Sequence, residues 1–244
     1  MSILAVGPLD FSPRLVIFDK DGTLLDFQAM WATWIRDLSR RIESVAQRSL
    51  SAQLFAAVRF DAAHDRVIPS GPLALAPMAD LRALLTNVLV ESGLTEARAK
   101  AVMHVAWFKP DPVRLARPIA DLPQLFRCLR QHDVLIALAT SDDRAATQAT
   151  LDALRVTQFV SAIICADDHL PIKPAADMLV HLCGVLAIAP AQAVHVGDSV
   201  ADMQMARAAE VGLAVGVLSG LGTRETLAPY ADVLIDSVAG LLAA

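Results

Sequence analysis

The chain has no surplus of positive charge: its 244 residues carry 21 lysines and arginines against 26 aspartates and glutamates, a net charge of −5. No broad cationic face able to neutralise a phosphate backbone is expected, so nucleic acid is not an expected partner. Paired cysteines are missing as well. Cys128, Cys165 and Cys183 are odd in number, far apart and set among apolar residues, which predicts buried free thiols in a reducing compartment. Residues 1–10 lack the basic start, apolar stretch and small-residue cleavage site of an export signal. No apolar run reaches the roughly 18 residues of a spanning helix, and Met178 to Ala189 is interrupted by His181. A cytoplasmic protein that does not enter a membrane is the expectation. Internal repeats, low-complexity tracts and a His-x-x-x-His metal spacing are also absent.

What is present is 55% apolar sequence, enough for a sizeable core, arranged in a recurring grammar. Arg14 to Phe18 is a short β-branched run that ends abruptly in Asp19-Lys20-Asp21-Gly22-Thr23. Val134 to Ala139 runs likewise into Thr140-Ser141-Asp142-Asp143, Ala162 to Cys165 into Asp167-Asp168, and Ala193 to Val196 into Gly197-Asp198-Ser199. Further runs lie at Gly212 to Val217 and Asp232 to Ile235. Helix-length segments near 143–154, 175–188 and 199–209 separate them. Buried strands alternating with helices predict a parallel sheet covered on both faces.

Residues 26–116 break that rhythm. Trp31, Trp34, Ile35, Leu38 and Ile42 fall at helical spacing, as do Leu81, Leu84, Leu85, Val88 and Leu89, with no convincing strand between them. An inserted bundle of about four helices is expected there, its loops marked by Pro69-Ser70-Gly71-Pro72 and Lys109-Pro110-Asp111-Pro112. The domain reading is a core of residues 1–25 and 117–244 interrupted by a helical cap at 26–116.

In an open parallel sheet, ligands bind at the carboxyl ends of the strands. Asp19 and Asp21, Thr140, Lys173 and Asp198 stand at or just beyond four such ends. Carboxylates from two strands offer hard oxygen ligands for Mg²⁺. Lys173 can offset phosphate charge, Thr140 can donate a hydrogen bond, and the amides of the Asp21-Gly22-Thr23 turn add donors. Phosphoryl transfer needs mainly this positioning and charge stabilisation, with a carboxylate as nucleophile and Asp21 as general acid and base.

These residues resemble the haloacid dehalogenase-like hydrolase superfamily. Phe18-Asp19-Lys20-Asp21-Gly22-Thr23-Leu24-Leu25-Asp26 is similar to its first motif, Thr140 to the second, Lys173-Pro174 to the third, and Gly197-Asp198-Ser199-x-x-Asp202-x-x-x-Ala206 to the fourth. The tail from Gly216 to Ser237 resembles the phosphoglycolate phosphatase-like branch. The resemblance implies a Rossmann-like, doubly wound α/β core with an inserted helical cap, and a Mg²⁺-dependent phosphatase acting on a small phosphorylated metabolite as monomer or homodimer. Asp19 would be the nucleophile and Asp21 the acid and base. Asp19, Asp198 and the Asp21 carbonyl would hold the metal, supported by Asp202 and Ser199, with Gly22, Thr23, Thr140, Ser141 and Lys173 on the phosphate.

Two departures stand out. Lys20 occupies a position that is commonly apolar in the family, and strand alternation predicts a surface or snorkelling lysine there. Asp142 and Asp143 follow the second-motif threonine; the expectation is that one caps the helix starting near Arg144 and the other faces water. The loop Gly216 to Thr223 lacks a Gly-Lys-Ser/Thr ending and reads as a connection. His169 is the one histidine near Lys173. Trp31 and Trp34 read as packing residues, and Arg36, Arg40 and the 61–68 loop as candidates to touch a leaving group. Rival functions are a phosphomutase on the same core and a non-catalytic binding protein on this fold; retention of every carboxylate argues against the latter.

Overall fold

The computed structural model describes residues 11–76 and 78–242. The opening segment read above for a signal thus lies outside the described residues. The chain divides into two compact units, one of residues 1–27 and 112–244 and the other Gln28–Asp111.

The first unit is built on β1 (Leu15–Phe18), which leads into the second unit and back to α6 (Leu122–Gln131), β4 (Leu135–Ala139), α7 (Arg144–Ala153), β5 (Ala162–Ile164), α8 (Asp177–Val185), β6 (Ala193–Gly197), α9 (Val200–Ala208), β7 (Leu213–Val217), α10 (Arg224–Leu227) and β8 (Val233–Ile235). The six strands form one sheet in the order β5-β4-β1-β6-β7-β8, every neighbouring pair parallel. The chain winds outward from β1 through β4 and β5, then restarts at β6 on the other side of β1 and winds out through β7 and β8. The expected doubly wound α/β core is therefore present.

Alternation along β1 shows why these strands read as continuous apolar runs. Val16 and Phe18 pack into a cluster with Phe126, Leu129 and Leu151 from α6 and α7. Leu15 and Ile17 point the opposite way, into a second cluster with Leu179, Leu182, Met203 and Ala206 from α8 and α9. All four are fully buried, so neither face offers a polar position that would mark an exposed side. Helix α6 starts where Asp121 accepts the Gln124 amide (2.9 Å), and helix α9 where Ser199 and Asp202 exchange capping bonds. Cys165 and Cys183 are buried free thiols and Cys128 is half-buried; burial pushes the first two above the usual thiol value.

The chain leaves and re-enters this unit through adjacent segments. Ile119 donates to the Leu24 carbonyl (3.0 Å) and Asp26 to that of Arg117 (2.8 Å), with Leu25 and Pro118 paired antiparallel. The core unit takes in residues 26–27 and 112–116 as well, whereas the borders expected from the sequence fall at 25/26 and 116/117.

The second unit holds most of α1 (Phe27–Ala46), then α2 (Ser51–Val58), α3 (Pro72–Leu75), α4 (Met78–Glu91) and α5 (Glu96–Ala106). It also contains a hairpin, β2 (Phe60–Asp61) paired antiparallel with β3 (Arg66–Val67), where no strand was expected. Two paired residues are too short for alternation to register. The hairpin is fixed instead by side chains: Asp61 accepts the Ala63 and His64 amides, and Gln28 grips both the N–H (2.7 Å) and the carbonyl (3.1 Å) of Val67. Trp34 is fully buried, edge-on to Trp31 and Trp107, with its indole N–H on the Phe108 carbonyl (3.1 Å). Arg36 pairs with Asp65 and lies over the Phe60 ring, while Arg40 pairs with Asp37. Among the described residues no helix is long and apolar enough to cross a membrane.

Candidate active site

The direction of winding reverses between β1 and β6, and it is beyond the carboxyl ends of such a pair that a crevice opens. Asp19 follows β1 directly and Asp198 follows β6. One carboxylate oxygen from each of Asp19, Asp198 and Asp202 lies within 4.8 Å of the others, and all three residues are buried. Lys173, in the loop after β5 and preceded by half-exposed Ile172, spans two of them: its ammonium bonds to Asp19 Oδ1 and, at 2.7 Å, to Asp202 Oδ1.

Three acids around one lysine leave excess negative charge in a water-poor place, and the protonation preferences reflect it. Burial pushes the Asp19 carboxyl up, against the pull of Lys173. Burial and the charges of Asp19 and Asp202 push Asp198 well above the usual carboxylate range. Asp202 goes the other way: burial opposes its charge, but Lys173 and the His195 bond outweigh that and hold it well below the usual range. Lys173 is likewise buried, yet Asp19 and Asp202 hold its ammonium firmly charged.

The three carboxylates differ in how many lone pairs remain open. A carboxylate has about four acceptor sites. Asp202 accepts from Lys173 on one oxygen, which also lies 3.4 Å from His195 Nε2, and from the Ser199 amide (3.2 Å) and hydroxyl (2.5 Å) on the other. Asp198 takes the Leu221 amide (2.7 Å) and, at 3.4 Å, the Thr23 hydroxyl. Open oxygen positions therefore sit on Asp19 and Asp198, whereas Asp202, braced by Ser199 on one oxygen, is committed to Lys173 on the other.

The turn after β1 uses its residues differently from the sequence reading. The Gly22 amide is committed to the Leu25 carbonyl (2.7 Å), so it is not a free phosphate donor. What the position demands of glycine is its φ of 92° and the missing Cβ, which would strike the Asp198 carboxylate. Thr23 is fully buried with its hydroxyl toward Asp198. Thr140 is buried at the end of β4, and Ser141 beside it is exposed. His169 is exposed in a left-handed backbone conformation after a 3-10 turn and joins none of these contacts.

Lys20 is corrected outright. It is buried, 2% exposed, and its ammonium reaches both Asp21 oxygens (2.8 and 2.7 Å) and Asp142 (3.2 Å). Burial works against that charge, but the two acids outweigh it and raise the Lys20 pKa. Asp142 accordingly does not simply face water. Asp143 stands at the start of α7 without a side-chain cap, and the Arg144 amide is received instead by Asp167 (2.9 Å).

The connecting loop at 219–222 is the part the sequence reading missed. Its Ser219 hydroxyl bonds to the Gly22 carbonyl (2.8 Å), Leu221 donates to the Asp198 side chain and Gly222 to the Asp198 carbonyl (2.8 Å). A Cβ at Gly220 would overlap the Asp198 carboxylate. The two glycines flanking Leu221 were the available signal, since glycine inside a loop marks close backbone approach.

Comparison with known proteins agrees with this geometry. A phosphoglycolate phosphatase of Pseudomonas putida is 28% identical over 236 residues, covering 94% of this chain and 79% of that protein. One of Agrobacterium fabrum is 26% identical and covers 93% and 90%. The plasmid-borne phosphoglycolate phosphatase of Cupriavidus necator is 31% identical over 113 residues, a match spanning 49% of that protein and 46% of this chain. Among solved structures, a HAD-superfamily hydrolase of Geobacter sulfurreducens superposes with a TM-score of 0.66 at 18% identity, over 95% of this chain and 96% of that one. A candidate β-phosphoglucomutase of Thermotoga maritima gives 0.62 at 19%, over 91% and 94%. The family model described as haloacid dehalogenase-like hydrolase matches residues 13–210, and with motifs, strand order and buried acids in agreement, the chain belongs to the haloacid dehalogenase-like hydrolases.

Proposed function

We propose that this hydrolase is a Mg²⁺-dependent phosphatase for a small phosphorylated metabolite, of which phosphoglycolate is one candidate, working through an aspartyl-phosphate on Asp19. One observation carries the reading: three buried carboxylates cluster together, a single lysine bridges two of them, and open lone pairs remain on Asp19 and Asp198. Two hard oxygen donors with an uncompensated charge suit Mg²⁺. Held by Asp19, Asp198 and the Asp21 carbonyl, it would supply the positive charge that offsets the phosphoryl oxygens.

The chain's own groups then divide the work. Asp19 attacks phosphorus with a carboxylate oxygen as the bond to the leaving oxygen breaks, and Asp21 gives that oxygen its proton. In the second step Asp21 takes a proton from water, the water oxygen bonds to phosphorus, and the bond to Asp19 breaks, releasing phosphate. Lys173, held by Asp202, which Ser199 braces, keeps a positive charge against the transferring group. Thr140 and Ser141 would donate to its oxygens. The phosphoglycolate phosphatases among its relatives support a small phosphorylated metabolite as substrate. Buried free thiols fit a reducing cytoplasm.

The test is a panel of phosphorylated metabolites assayed for released inorganic phosphate with Mg²⁺, with chelator, and with Asp19→Asn. The amide cannot attack as a carboxylate, so turnover is expected to vanish while the circular dichroism spectrum is retained. A variant as active as the wild type would sink the nucleophile assignment. Loss of substrate without phosphate release would instead point to a mutase.

A further inference from the structure

Lys20 and Asp142 belong to the two stretches where the sequence departs from the family pattern, and the fold brings them together although 122 positions separate them, since Lys20 Nζ lies 3.2 Å from Asp142. Both ends of the contact are themselves held. The Lys20 carbonyl accepts the Leu24 and Leu25 amides (2.9 and 3.0 Å), which fixes the backbone from which the side chain starts. On the other side, one Asp142 oxygen accepts the Asp143 amide (2.9 Å), the Asp142 amide donates to the Thr140 hydroxyl (3.2 Å), and its carbonyl accepts from Ala166 (3.0 Å). The lysine thus joins the loop after β1 to the loop after β4.

Its grip on Asp21 is two-pronged. The ammonium contacts both oxygens at 2.8 and 2.7 Å, so the carboxylate plane as well as its position is constrained. Each oxygen keeps a further lone pair, and the Asp21 side chain remains 24% exposed. The second acid, Asp142, holds the ammonium from the β4 loop while it grips Asp21, so the lysine side chain is fixed from both sides.

We propose that Lys20, anchored by Asp142, is a positioning residue that orients the Asp21 carboxyl group toward the leaving-group oxygen. This rests on the reading of Asp21 as proton donor. Proton donation matters most when the departing oxygen is strongly basic, so a misaimed donor slows poor leaving groups selectively. A merely structural lysine would slow all substrates alike.

The experiment compares phenyl phosphate with p-nitrophenyl phosphate, similar in size but unlike in leaving-group basicity, at saturating Mg²⁺. Lys20→Met is expected to lower the ratio of kcat/KM for phenyl to that for p-nitrophenyl phosphate, which reads the leaving-group step alone, about tenfold to a hundredfold, the scale of a donor displaced by about 1 Å. Asp142→Asn should shift the ratio the same way by less, and the double variant should be no worse than Lys20→Met. Equal losses on both substrates, or additive losses in the double variant, overturn the inference. If Lys20→Met does not fold, Asp142→Asn decides: an unchanged ratio overturns it. Asp21→Asn separates the two readings. A ratio unchanged in that variant removes Asp21 as donor and the inference with it, whereas a ratio that falls there but not in Lys20→Met removes the inference alone.

Discussion

Adding one methyl group at Gly220 is expected to disable the protein by moving a carboxylate it does not replace. An alanine Cβ there would lie 2.6 Å from the Asp198 Cβ and closer still to its carboxyl group. Ordinary contact between carbons begins near 3.5 Å, so Asp198 must withdraw by about 1 Å. It cannot do so freely, because the Leu221 amide holds its side chain (2.7 Å) and the Gly222 amide its carbonyl (2.8 Å). A displacement of about 1 Å in a catalytic site costs on the order of 100-fold in rate, and overpacking costs about 1–3 kcal/mol of stability. Gly184→Ala is the matched control: the same methyl group meets nothing within 4 Å and lies in α8. That change should stabilise the fold by about 0.5–1 kcal/mol. The assays are Mg²⁺ titration by calorimetry, phosphate release and urea unfolding. Normal Mg²⁺ affinity and turnover in Gly220→Ala would refute the claim that the 219–222 loop fixes Asp198.

Two further outcomes follow from the same cluster. In chelator, acidification should favour the folded state more in the wild type than in Asp198→Asn. Asp19 and Asp198 are raised above the ordinary value of 3.8, so their contributions are complete below it and are lost as pH rises through the folded values; Asp202 is lowered, so its contribution holds above 3.8 and is lost only on further acidification. Melting curves between about pH 4 and 7 read the difference, Mg²⁺ should reduce it, and parallel curves for the two proteins would contradict the charge imbalance. Lys173→Met removes the ammonium between Asp19 and Asp202 and should cost about 3–5 kcal/mol in urea unfolding at neutral pH, the range for a broken buried pair. A loss below about 1 kcal/mol would show that the pair contributes little.

Much of this was legible in the sequence because fully buried parallel strands leave an unmistakable trace. Leu15 to Phe18 is apolar throughout, Ala193 to Gly197 is apolar but for the buried His195, and each run stops at an acid, which locates the strand ends. Three features were not legible, each because its cause lies far along the chain. Lys20 reads as a surface lysine until Asp142 is brought to it. The 60–67 hairpin depends on Gln28, 39 positions earlier. The 219–222 loop gains its meaning only from Asp198, because nothing local in Ser219-Gly220-Leu221-Gly222 says what the backbone approaches. Local pattern reports burial and period, whereas partners contributed by a distant segment leave no period to read.

The paired crossing at Leu25 and Pro118 has a consequence for how such a chain can change. Because Asp26 and Arg117 are bonded side by side, the ends of everything between them are already closed by the β1-bearing unit itself. A segment of different length or sequence could be spliced in at that neck without disturbing the register of β1 against β4, since closing a longer loop costs only about 0.6 kcal/mol per doubling. The neck behaves as a socket that closes the ends of whatever segment is seated between residues 26 and 117, within the β1-bearing unit.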